Sequence, residues 1–423
     1  MVPDADAVAQ AVSRTTALAG MLALVISGLV PTAVLAADPI VAPNITSSAP
    51  STNIAVSGTT ATVTTTNIRN DVAFNTFDQF QIGAGTTANV IQPGSTSALV
   101  NIINGGKSTI DGVLNAQIDT GGAAQIGGNH FYVNPDGFVV GASGVINAGD
   151  LTLSTPTSGF QQLLQRQAEG ANVAATATLF AGTEDLSPTG TIEVMGQINA
   201  RRLALRSGAR MLLNGDISVV DDSPGAAGAR LKPTVNARGV PQAAGISTEG
   251  GVIRLLSAGE MQLRGNITAQ RKSTGGVVAA EARETLTVSS TINVQAAPGA
   301  AGDSGSVILF TEKTANLEAS QKILANSIAG SGGLISVTAA EKATVRGNFE
   351  AAGGTHNERG STVVVAAEIE TRGVIATKGG DLLLFASDPE EIATADNTVG
   401  LLHIGGTTAG ATDAQISTLS AVG

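Results

Sequence analysis

The chain has 423 residues, 23 basic and 34 acidic side chains, a net charge of −11, and no cysteine. The acidic balance argues against a nucleic-acid or anionic-membrane partner held by charge, and the missing thiols exclude disulfides and cysteine-based metal sites. Hydrophobic residues reach 43 % but aromatics only 3 %, with 52 Gly and no Trp, so the core must be thin and built from small and β-branched side chains.

In chain order, residues 1–37 have the pattern of a secretory signal peptide. Arg14 precedes an apolar run from Ala17 to Val30, and Val34-Leu35-Ala36 ahead of Ala37 and Asp38 forms a small-residue cleavage site, with cutting expected after Ala36 or Ala37. Asp4 and Asp6 are unusual in such a leader. The run is too short for a membrane span and is interrupted by Gly20, Gly28 and Pro31. With no second apolar segment of sufficient length, the mature chain is expected outside the cytoplasm. Residues 38–60 read as a lead-in and first strand that cap an open sheet edge.

From there two markers recur. The first is a Gly between an apolar residue and a short alternating run: "IDGVLNA" at Gly112, "ASGVINA" at Gly144, "VMGQINA" at Gly196, "LNGDISV" at Gly215, "LRGNITA" at Gly265, "VRGNFEA" at Gly347 and "TRGVIAT" at Gly373, with Ser290 in the Gly place of "VSSTINV". The second is Gly heading an apolar alternation, as in "GGVIRLLSA" from Gly250, "GSVILFTE" from Gly305 and "GSTVVVAAE" from Gly360. Both repeat at roughly 25 residues or its double, the signature of a solenoid. Each unit supplies two or three short strands joined by Gly-centred bends. One coil cannot bury its inward face alone, and stacking coil on coil does. The predicted fold is all-β: a right-handed parallel β-helix (β-solenoid) of about 15 coils, fewer after insertions, with extruded loops and an N-terminal cap. Gly is expected at the corners because sharp bends need positive φ or leave no room for Cβ.

Two segments break the repeat. Residues 158–180, with Phe160, Leu163 and Leu164 among Gln and Arg, read as an extruded helix or loop covering a side or edge; residues 221–245, rich in Pro, Gly and Ala, read as a surface insertion. The repeats are expected to continue from 181 to 423.

The stretch from Asn44 to Thr155 resembles the filamentous-haemagglutinin secretion domain, the N-terminal domain of two-partner secretion (TPS) exoproteins. The resemblance is carried by "FNTFDQF" (Phe74–Phe80), by the pair "ING" and "IDGVLNA", and by "VNPDG" (Val133–Gly137) followed by "INAGDLTLST". The family's Asn-Pro-Asn-Gly stands here as Asn134-Pro135-Asp136-Gly137, and its Asn-Pro-Asn-Leu has no counterpart, "QPGSTSAL" (Gln92–Leu99) standing nearby. The resemblance implies a TPS domain over residues 38–157. It also implies export through an outer-membrane TpsB-family transporter, a barrel with periplasmic POTRA modules, and an adhesin or haemagglutinin that meets a host or cell-surface receptor or glycan. The location implied is the bacterial surface or the medium, reached through the periplasm. Exoproteins of this family are usually much longer, so a fragment or truncated product is expected. Asn134, Pro135, Asp136 and Gly137 are the candidate site, as a fold-defining corner or as a direct transporter contact. Asn115, Asn129, Asn134 and Asn147 are expected to satisfy turn backbone groups.

No catalytic, cofactor or metal site is expected, and the chain is not expected to be an enzyme. His130, His356 and His403 lie far apart and read as surface or loop histidines; "GAGTTA" (Gly83–Ala88) follows a strand and reads as a corner. "DPEE" (Asp388–Glu391) reads as a loop, and "RRLALR" (Arg201–Arg206) as a strand with Leu203 and Leu205 inward and Arg202 and Arg206 on a solvated face. Asn44 and Asn266 head glycosylation sequons. Two alternatives stand beside the exoprotein reading. One is a β-helical polysaccharide-degrading enzyme, which needs acids clustered on neighbouring coils. The other is the stalk of a contact-dependent toxin, which needs a C-terminal toxin domain.

Overall fold

A computed structural model describes residues 43–221, 251–271, 273–296, 302–354, 360–377, 380–386 and 401–404. All belong to one compact unit, Ile40–Gly423. The signal-peptide reading, with Ala36 and Ala37, and nearly all of the 221–245 insertion lie outside the described residues.

The chain winds as a right-handed parallel β-helix with three faces. A regular coil is seen in Val252–Ser257, Met261–Leu263 and Asn266–Arg271, after which Val277–Ala282 returns beside Val252–Ser257. Strands equivalent to Met261–Leu263 form sheet 1, those equivalent to Asn266–Arg271 sheet 2, and those equivalent to Val252–Ser257 sheet 3; the sheets hold 12, 13 and 12 strands. These counts are of the described residues, in which the segment between residues 154 and 191 leaves the coil and forms helices.

Register is kept from coil to coil, so like residues stack. In sheet 2 the inward column runs Ala88, Leu114, Ile146, Ile198, Ile217, Ile267, Ile292, Ile323 and Phe349. Every member is essentially inaccessible to solvent. Burying each such aliphatic side chain contributes about 1.5–3 kcal/mol, and the outward neighbours alternate polar, as the sequence pattern requires. The first marker thus spans the corner from sheet 1 to sheet 2, and the second heads the strands of sheet 3.

The repeated glycines serve one of the two roles expected of them. None of Gly112, Gly144, Gly196, Gly215, Gly265, Gly347 and Gly373 has positive φ. Crowding is what selects them: a Cβ on Gly215 would overlap the carbonyl oxygen of Gly196, and one on Gly265 that of Gly215. The corner backbones of successive coils therefore rest directly on each other.

The N-terminal cap extends further than residues 38–60. Asn44–Thr46 pairs antiparallel with Gln79–Ile82 in sheet 1. Thr52–Ser57 pairs antiparallel with Thr60–Thr65 in sheet 2, and Ile68–Arg69 folds back on Val72–Phe77 in sheet 3 through Asn70 and Asp71, both at positive φ. Two left-handed residues in a two-residue hairpin loop fit the strand twist. All three N-terminal sheet edges are thus covered by antiparallel strands, which breaks the parallel template that would otherwise recruit another chain.

Residues 158–180 form two helices, α1 (Ser158–Ala168) and α2 (Ala175–Ala181). The Thr157 hydroxyl accepts from the Phe160 amide and caps α1. Phe160, Leu164, Ala168, Ala175 and Leu179 cover the outer face of sheet 3, where Val72, Phe74, Val100, Ile102, Phe131 and Val133 point outward. Phe131 meets Phe180 at 4.7 Å between ring centroids. In these coils sheet 3 is apolar on both faces, so alternation alone understated its burial. Leu163 stays exposed.

Gly265→Ala is expected to lower stability by about 1–3 kcal/mol because rigid backbone must move. Gly159→Ala, in α1 with open space around it, is expected to be neutral or to stabilise by up to ~1 kcal/mol. Thermal midpoints of the two variants against the parent chain check both.

Candidate functional site

The corner Asn134–Gly137 joins the sheet 3 strand Asn129–Val133 to the sheet 1 strand Gly137–Val140. The Gly137 amide donates to the Asn134 carbonyl at 3.1 Å, closing a β-turn, and the Asp136 amide donates to Asn134 Oδ1 at 2.9 Å. Asn134 Nδ2 reaches back one coil, donating to the Gly106 carbonyl at 2.8 Å and to Ser108 Oγ at 2.9 Å. Asn134 is 1 % exposed, Pro135 is buried, and Asp136 alone faces solvent. Pro at the second turn position and Gly at the fourth suit a type I turn. Gly137 carries φ +104 and lies against Thr191 of the next coil. Asp136 is not left-handed; it is tolerated in place of Asn because its backbone needs only an ordinary turn conformation.

Of the other asparagines expected at turns, Asn115 and Asn147 do something different. They join Asn89 and Asn199 in a ladder on the outside of sheet 2, each amide Nδ2 donating to the Oδ1 of the coil before at 3.0 Å. Asn129 is buried, and its backbone amide donates to Gln92 Oε1 at 2.8 Å. A second amide pair is internal: Asn75 Nδ2 donates to Asn101 Oδ1 at 3.0 Å, and Asn101 Nδ2 to the Phe131 carbonyl at 3.3 Å. "GAGTTA" is a corner as expected, with Gly85 at φ +75 and the Thr86 hydroxyl donating to the Gly83 carbonyl at 2.7 Å.

His130 corrects the surface-histidine reading. It is fully buried, 6.4 Å from the ring of Tyr132, with Nε2 3.0 Å from the Gln117 carbonyl. The signal was positional: His130 shares the inward parity of Tyr132, and Phe131 is the outward residue. Burial lowers its pKa to about 4, against a smaller opposing effect of the Gln117 and Gly127 carbonyls. Burial also raises the Tyr132 hydroxyl well above its ordinary value. The first coils are further set apart by rings: Phe77 and Phe80 lie 5.0 Å apart and Phe80 and Tyr132 5.6 Å apart.

"RRLALR" has Leu203 and Leu205 inward as read, yet its arginines do not form a solvated face. Arg201 Nε donates to the fully buried Asp150 Oδ1 at 2.8 Å, and Arg202 Nη1 lies 3.5 Å from Asp150 Oδ2. Arg206 Nη1 donates to both oxygens of the buried Glu184 at 2.8 and 3.0 Å, and the Ser154 hydroxyl donates to Glu184 Oε1 at 2.6 Å. These partners are 22 to 52 positions away, so only the coil register reveals them.

His356 and Asp388–Glu391 lie outside the described residues, as does the side chain of His403. Among the described residues no three His, Asp or Glu side chains gather as a metal site, and no helix is long and apolar enough to cross a membrane.

Fold and site together define a parallel β-helix with an antiparallel cap and helices covering the outer face of sheet 3 in its first coils. No family model matches the chain, and no curated protein matches it. Among solved structures, the crystal structure of the HMW1 secretion domain from Haemophilus influenzae is similar to it, with a TM-score of 0.41 and 14 % identity, over 80 % of this chain and 100 % of that one.

Asn134→Ala is expected to cost about 1–3 kcal/mol, because the buried Ser108 hydroxyl and the Gly106 carbonyl one coil back lose their donor and the Asp136 amide loses its acceptor; Asp136→Ala is expected to cost under ~0.5 kcal/mol. Hydrogen exchange of residues 98–140 separates the two. For His130, the unfolded imidazole protonates near 6.5 while the folded one resists to about 4. The unfolded state therefore binds more protons in that window, and stability, complete above pH 6.5, is lost as pH falls towards 4, by on the order of 3 kcal/mol. The difference between the pH profiles of thermal midpoint for the parent and His130→Gln should show that slope.

Proposed function

We propose that the chain is a two-partner secretion exoprotein, exported by an outer-membrane TpsB-family transporter and displayed or released as an adhesin. The single observation that carries the reading is where the motif residues fall. "FNTFDQF" spans the sheet 3 to sheet 1 corner of the first coil under the cap that closes all three sheet edges, and Asn134–Gly137 builds the corresponding corner two coils further on, tied to the coil before it. A capped, ring-rich first segment suits a chain that emerges N-terminus first and needs a folded template for later coils. Local contacts between successive coils and the absence of cysteine suit passage through a pore in an extended state.

Within this reading the Asn134–Gly137 corner acts chiefly by shaping the first coils, since Asn134 and Pro135 are buried. Asp136 is the one side chain of the four that a transporter module could touch. No catalysis is proposed. The function of the later coils is display of a long surface to a receptor or glycan outside the cell.

Co-expression with the cognate transporter tests this. The full chain is expected in the medium or on the surface, and deletion of residues 38–157 is expected to abolish export. Asn134→Ala is expected to reduce export more than Asp136→Ala. Export unchanged by the deletion would overturn the proposal.

A further inference from the structure

The outer face of sheet 3 changes character just past the helices. At coil after coil its outward positions are Asp150, Thr152 and Ser154, then Arg202, Ala204 and Arg206, then Val252, Arg254 and Leu256, then Val277, Ala279 and Glu281. Arg202 and Arg206 are held by Asp150 and Glu184. Arg254 sits one coil further on, in register with Ala204 before it and Ala279 after it. Two alanines leave a trough about two strand spacings wide, ~10 Å, for its guanidinium.

Among the described residues, Arg254 differs from its neighbours Arg202 and Arg206 in having no carboxylate partner. Its Nη2 is buried and has no hydrogen-bond partner. The group is desolvated and lies in the field of Arg206 and Arg202, which together lower its pKa to about 10. It is still a cation at neutral pH. The closest acid on the following coil, Glu281, lies beside Leu256 rather than Arg254. Burial, and then Glu312, raise Glu281 to about 7 against the opposing pull of Arg283, so it is a poor counter-ion. A half-buried cation with one buried donor unused, set among like charges, is costly, and folds normally remove or pair it. Arginine's planar fork is the group best suited to take an oxyanion through two parallel hydrogen bonds.

We propose that Arg254, flanked by Arg202 and Arg206, is a binding site for one oxyanion group, a sulfate, phosphate or carboxylate carried by a ligand. The site lies beyond the segment that carries the secretion motifs, so it stands or falls independently of the export route.

The test uses the full chain. Sodium sulfate, phosphate and glucuronate are each titrated at constant ionic strength against chloride, following the Arg254 Nε–H resonance and the thermal midpoint. At least one of the three is expected to saturate and shift that resonance, which ranks the ligand sources. Arg254→Gln is expected to weaken the same titration at least tenfold, and Arg254→Lys to weaken it less, because it keeps charge without the fork. Arg372→Gln, on an exposed side chain distant in sequence and paired with Glu370, is expected to leave it unchanged. No saturation by any of the three anions on the parent chain overturns the proposal, as does equal binding by Arg254→Gln. Should that variant fold poorly, the titration of the parent chain still decides.

Discussion

Everything in this molecule rests on in-register stacking of one coil on the next. Apart from the antiparallel cap and the short Gln125–Ile126 strand, each described strand finds its hydrogen-bond partners in the coils above and below, 19 to 54 residues away. The constraint explains why glycine recurs at the sheet 1 to sheet 2 corner. With coils at strand spacing, the corner carbonyl of one coil occupies the space a side chain would need on the next. It also explains the composition. A narrow three-sided interior accepts Ile, Val, Leu and Ala in columns, and its large rings gather in the first coils at Phe77, Phe80, Tyr132 and Phe138, with Phe349 alone among the later described coils.

A stack held only by neighbours has two vulnerable features, its ends and any face too apolar for water. At the N-terminal end three short antiparallel strands answer the first, one on each sheet. Helices α1 and α2 answer the second by covering the outward Phe74, Val100 and Phe131. The same first coils carry the buried amide pair Asn75 and Asn101 and the buried His130. These polar groups accept only one register, because a slip by one residue would place them against aliphatic columns. The most specifically determined part of the solenoid is therefore the part that carries the secretion-like motifs, which is what a template for later coils requires.

Electrostatics follow the same geometry. Charges far apart in sequence become neighbours by stacking, as Asp150 with Arg201 and Arg202, and Glu184 with Arg206. Where the stacking supplies no carboxylate, at Arg254, a cation is left with one buried donor unused. A net-acidic chain thus holds a local basic patch that overall charge conceals.

The sequence by itself determined the solenoid, its Gly-marked period, the inward columns, the interruption at residues 158–180, and the corner at Asn134–Gly137. All of these follow from patterns spanning a few residues and repeating at a constant interval. Only the tertiary structure decided that the corner glycines answer to crowding and not to φ, that His130 is buried, that Asn115 and Asn147 pair with other asparagines, and that Arg202 and Arg206 are ion-paired. Each of those depends on which residue of the adjacent coil lies opposite. That identity is set by the exact lengths of irregular corners and insertions, whose physical chemistry leaves no periodic trace in the chain.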